Sequence, residues 1–90
     1  MKVIGAVIQS GNYQGFDYKN VVLHGTYQLK NGVGVGTAKE KIKHDRLCDI
    51  LGKHVDNTVL TKDVVGKSFD FGYDKFQNVT HMEEVKEGAS

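Results

Sequence analysis

The stretch TAKEKIKHDRLCDILG, residues 37–52, decides the fold, because it admits two readings that lead to different architectures. Thr37 followed three residues later by Glu40 fits a capping box, in which the two side chains satisfy free backbone N–H groups, and would open a helix at Ala38. Residues 38–43, however, offer only Ala38 and Ile42 as apolar side chains, too few for the stripe a packed helix needs. A strand continuing to Lys43 is therefore the favoured reading. Asp45 is then a good N-cap, Leu47, Cys48, Ile50 and Leu51 supply an apolar side, and Gly52 is a good stop. The stretch reads as strand and then a short helix of about two turns.

Upstream, Lys2 to Gln9 is rich in Val and Ile and runs into Ser10-Gly11-Asn12, which suits a first strand entering a loop, with Gly5 marking a bulge or bend. Tyr18 to Leu29 alternates: Val21, Leu23 and Tyr27 share one side, Val22, His24 and Thr26 the other. Lys30-Asn31-Gly32 follows as a hairpin signal, and the third strand begins at Val33. Downstream, Lys53 to Asp63 reads as a connection. Lys67 to Tyr73 sets Phe69, Phe71 and Tyr73 against Ser68, Asp70 and Gly72, the cleanest period-two pattern in the chain. Asp74 to Asn78 reads as a hairpin loop, Val79 to Val85 as the returning strand, and 86–90 as a frayed tail. Phe69, Phe71 and Tyr27 are assigned to the core.

The order is β-β-β-α-β-β in one domain, residues 1–85, mainly β with one short helix. It resembles the OB-fold, a five-stranded, partly open Greek-key barrel. The resemblance is one of element order over nearly the whole chain, with no signature motif behind it. Another small barrel, or an α+β sheet packed on one helix, satisfies the same order.

Ninety residues allow one core, and an apolar fraction of 39% contains no run of the roughly 20 residues that span a bilayer. MKVIGAVIQSG runs straight into strand-like sequence, so it reads as a first strand, not as a signal peptide. Cys48 has no partner for a disulfide, which points to a reducing interior and a cytoplasmic location. Asn78-Val79-Thr80 is then an incidental sequon. Twelve basic against eleven acidic side chains give a net charge of +1, without the strong basic excess of a dedicated duplex-DNA binder. The charge is nevertheless uneven: residues 30–46 hold Lys30, Lys39, Lys41, Lys43 and Arg46 against only Glu40 and Asp45.

Several motifs fail on their own chemistry. Gly66-Lys67-Ser68 resembles the end of a phosphate-binding loop, but Thr61 stands where that loop needs glycine, and a strand follows where a helix must. Gly32, Gly34 and Gly36 resemble a dinucleotide fingerprint, but Thr37 holds the third glycine's place. For a metal, His44 and Cys48 at i, i+4 share a helical side, with His24, His54 and His81 elsewhere; no tight pair supplies converging further ligands, so no metal or cofactor is expected. Cys48 among Leu47, Ile50 and Leu51 reads as a small buried thiol rather than a nucleophile, and no carboxylate pair stands out. No enzyme is expected.

What remains is aromatic. Tyr13, Phe16 and Tyr18 lie between the first two strands, and Tyr73, Lys75 and Phe76 at the last turn. In an OB-fold these two loops, with the face of strands two and three, bind oligonucleotides and oligosaccharides. If 38–43 is strand, Lys39, Lys41 and Lys43 project to one side at intervals of about 6.6 Å, comparable to successive phosphates of an extended single strand. The expected function is single-stranded nucleic-acid binding, with stacking on Tyr13, Phe16, Tyr18 and Phe76 and phosphate pairing by Lys39, Lys41, Lys43 and Lys75. Assembly as a homo-oligomer would multiply these contacts. A protein-interaction or self-assembling accessory module, of the kind found on phage or mobile elements, would use Tyr13, Phe16 and Phe76 as anchors instead.

Overall fold

The computed structural model describes residues 1–85; the expected tail, 86–90, lies outside them. Five antiparallel strands form one sheet: β1 (Lys2–Tyr13), β2 (Phe16–Gln28), β3 (Val35–Lys43), β4 (Ser68–Tyr73) and β5 (Val79–Val85). Helix α1 (His44–Leu51) follows β3, and a short helix α2 (Asn57–Val59) runs on into a π-helical turn (Leu60–Val64). Residues 37–43 are strand throughout, so the capping-box reading of Thr37 and Glu40 does not form. No helix among the described residues is long and apolar enough to cross a membrane.

The strand order is β3-β2-β1-β4-β5. β3 and β5 are its two edges, and the sheet does not close. The expected barrel is therefore an open sheet here, with α1 lying against β2, β3 and β5. The β1–β4 junction is short, carried by reciprocal bonds between Met1 and Phe69 and by Val3 N–H to the Lys67 carbonyl, each 2.9 Å.

One side of this sheet is the core. Val3, Val21, Leu23, Ile42, Leu47, Val55, Leu60, Val64, Phe69, Val79 and Met82 are buried, with Phe71 half-buried against them. Tyr27 departs from its expected core place. It is 47% exposed and its ring lies over Gly36, where a Cβ would come within 2.5 Å of it. The alternation is correct, but the strand has run past the core by that point.

Gly25, in contrast, sits under the core's edge on β2. A Cβ there would lie 2.6 Å from the Lys2 carbonyl oxygen, a backbone atom held by sheet pairing. Gly25→Ala is expected to cost about 1–3 kcal/mol, as overpacking does, read as a lower urea midpoint. An unchanged midpoint would mean that β1 yields freely at Lys2.

Three boundaries differ from the sequence reading, each for a local reason. β1 does not end at Gln9 but pairs with β2 as far as Tyr13 opposite Phe16. The turn is only Gln14-Gly15, with φ of 51° and 82°, and such left-handed two-residue turns match the twist of paired strands. Asn12 locks it: its Nδ2 donates to Asp17 at 2.8 Å and its Oδ1 accepts from Gly15 N–H at 3.3 Å. Conversely, Asn31-Gly32 is no tight turn, because the pairing stops at Gln28 opposite Val35 and a loop fills the gap. Finally, α1 starts at His44, with Lys43 at the cap making no side-chain bond; Asp45 falls in the first turn, where a carboxylate still suits the helix dipole. The expected connection 53–63 contains α2, capped by Asp56 accepting from Val59 N–H at 2.9 Å.

Candidate nucleic-acid interface

Residues directly opposite each other on paired strands share a side of the sheet. Leu23 and Val21 face the core, so the even-numbered residues of β2 face away from it. Their β3 partners are Lys43 opposite Asn20, Lys41 opposite Val22 and Lys39 opposite His24. Their β1 partners are Val7 opposite Val22, Gln9 opposite Asn20, Gly11 opposite Tyr18 and Tyr13 opposite Phe16. The register therefore gathers Tyr13, Phe16, Tyr18, Lys39, Lys41 and Lys43 on one outer side of β1-β2-β3. All six are exposed.

The aromatic end of this surface is built on the long hairpin. Phe16 and Tyr13 are a directly opposed pair, 78% and 69% exposed. The Tyr18 ring rests on Gly11, where a Cβ would come within 2.6 Å of its hydroxyl. One face of that ring is thus seated on backbone, and the close approach depends on glycine.

The charge on this surface is one-signed. Among β1, β2 and β3 the only carboxylates are Asp17 and Glu40. Asp17 stands opposite Asn12 and Glu40 opposite Leu23, on the core side. The near-neutral total charge is thus not shared by the outer side, where the three strand lysines meet no acid of their own strands.

Lys75 and Phe76 lie elsewhere. Tyr73, at the end of β4, donates to Glu40 at 2.5 Å, and Glu40 projects to the side of β3 opposite the lysines. Burial, and then the bond to Glu40, push the Tyr73 phenol up to about 12, so it remains a donor at neutral pH. The turn that follows is held by Asp74, whose Oδ1 accepts from Phe76 and Asn78 N–H at 2.8 and 3.0 Å. Those backbone bonds, Asn78 first, hold the Asp74 carboxyl below its usual range. Lys75 stands over the Phe76 ring, 5.2 Å from its centre. This pair is a separate exposed feature and does not extend the lysine row.

A groove of about 1360 Å³ lies between the hairpin, α1 and β5, and Tyr18, Asn20 and Lys43 of the outer side also line it. Its cations, Lys19, Lys43 and Arg46, are matched by Asp17, Asp45 and Asp49. A phosphate chain gains less from such a balanced lining than from the outer side of β1-β2-β3, to which these strands contribute no carboxylate.

From the sequence, Asn20 draws no notice, and His24 and His54 read only as scattered histidines without converging ligands. Asn20 and His24 join the outer surface, visible only once the β2 register is known. His54 meets His44 and Cys48, with ligand atoms of all three within 4.8 Å of one another. Gly52, as a left-handed stop with φ of 71°, is the signal that the chain doubles back there. Searches against family models, curated proteins and solved structures found no match to the chain.

Proposed function

We propose that this chain is a non-enzymatic domain that binds single-stranded nucleic acid on the outer side of β1-β2-β3. The observation that supports it is the shared side of three exposed aromatics and three exposed lysines, with both carboxylates of these strands turned the other way. Bases would stack on Tyr13, Phe16 and Tyr18, while Lys39, Lys41 and Lys43 would pair with phosphates. Lys75 and Phe76 contribute only if the strand continues around β3 to the far turn. The OB-like reading belongs here as well: β1 lies between β2 and β4, and β3 and β5 are the edges whose pairing would complete a barrel. Assembly of several copies would multiply a small number of contacts per chain.

Fluorescence anisotropy with labelled oligo-dT, oligo-dA and duplex tests this at two salt concentrations. Saturable single-strand binding is expected, weakening with salt, with little preference between dT and dA because every base offers a π-face. Phe16→Ala should cost about 1–3 kcal/mol of binding, the range for one stacked base, with thermal stability unchanged. The absence of saturable binding at tens of micromolar protein would overturn the reading and leave the aromatic pair as a protein-docking anchor.

A further inference from the structure

We infer that His44, Cys48 and His54 form a binding site for a divalent transition metal of the zinc class. The site lies at the junction of α1 and the segment after Gly52, uses none of the residues of the lysine surface, and does not depend on the nucleic-acid reading.

Three independent features converge. The first is the donor set. Two imidazoles and one thiol are borderline-to-soft ligands that favour zinc and its neighbours over magnesium or calcium. The second is separation. Cys48 Sγ is 3.7 Å from His44 Nδ1, and all three ligand atoms lie within 4.8 Å of one another. Metal–sulfur and metal–nitrogen bonds of about 2.3 and 2.0–2.1 Å at a tetrahedral angle place sulfur and nitrogen about 3.5 Å apart. The pair therefore needs to move little to share an ion.

The third feature is the support of the ligands. His44 is buried, and its Nε2 is 2.7 Å from the Val55 carbonyl oxygen. A carbonyl only accepts, so Nε2 carries the proton and Nδ1, 3.7 Å from Cys48 Sγ where Nε2 is 3.9 Å, has its lone pair free once the ring turns toward an ion. The backbone N–H of the same Val55 donates to Cys48 Sγ at 3.4 Å. The backbone of one buried residue thus orients the histidine tautomer and donates to the sulfur, as outer partners of metal ligands do. His54 is delivered by the preceding residue, its ring 5.5 Å from that of His44. Lys53, on the same strap, is tied to Asp63 at 2.8 Å. Asp45 Oδ1, 3.9 Å from His44 Nδ1, adds negative charge beside the cation.

On binding, Cys48 loses its thiol proton to solvent and the thiolate, His44 Nδ1 and a His54 nitrogen donate to the ion. Three protein ligands leave a fourth position for water or a partner's group.

The test is titration of the reduced, metal-free 90-residue chain with Co²⁺, followed by Zn²⁺ competition. Expected are one-to-one binding, the intense visible bands of a four-coordinate ion, a thiolate-to-cobalt charge-transfer band, and displacement by Zn²⁺ with a raised Tm. His54 is exposed, so His54→Gln should fold, checked by circular dichroism, and weaken binding at least about 100-fold, since even outer partners account for 10–100-fold. Cys48→Ser should abolish the charge-transfer band. No such band in the wild type, or affinity in His54→Gln within about 3-fold of wild type, would overturn the assignment.

Discussion

Leu23→Ala is expected to destabilise the domain by about 2–5 kcal/mol, the range for emptying a buried leucine site. Leu23 is fully buried on β2 and stands opposite Ala6 on β1 and Glu40 on β3, so strands on both sides restrain any collapse into the void. A domain of this size has a total stability of about 5–13 kcal/mol, so the loss is a large share of it. Urea denaturation should show a lower midpoint with an unchanged slope. Val7→Ala is the control. Val7 faces outward, opposite Val22, and is 47% exposed, so its truncation should cost less than about 1 kcal/mol. Equal losses at the two positions would contradict the assignment of inner and outer sides on which the candidate interface rests.

The second large effect concerns salt. Replacing Lys39, Lys41 and Lys43 together by alanine should reduce the slope of log K against log salt by about 2, from about 0.7 per phosphate contact on a single strand. All three side chains are exposed, so Tm should hold. Binding should weaken most at low salt, where counterion release contributes most. Lys19→Ala with Arg46→Ala removes the same kind of charge from the groove between the hairpin, α1 and β5, which Lys43 also lines. If that pair reduced the slope and Lys39→Ala with Lys41→Ala did not, the ligand would lie in the groove and the outer surface would not be the interface.

The element order was legible because it rests on local alternation, and of the aromatics assigned to the core Phe69 is buried and Phe71 half-buried. Val21 and Leu23, Phe69 and Ile42 are buried where period-two patterning puts them. Tyr27 shows the limit of that reasoning: alternation assigns a side, but not whether anything covers it. The long β1–β2 hairpin was not legible, because Gln14-Gly15 lacks the usual Asn-Gly signal and Asn12 does the locking from outside the turn. That error mattered for the site. What read as an aromatic loop is paired strand, and the register assigns each ring a side.

The sequence by itself determined mainly β structure, a short helix between the third and fourth strands, and a lysine row with a two-residue period. These follow from propensity and side-chain alternation, which act over a few neighbouring residues. Only the tertiary structure decided that the sheet stays open between β3 and β5, that Tyr13, Phe16 and Tyr18 share the lysines' side while Phe76 does not, and that His54 returns to His44 and Cys48. Each of those depends on which distant residues stand opposite one another. Strand register and chain reversal set that pairing through contacts far apart in sequence, where local patterning has no reach.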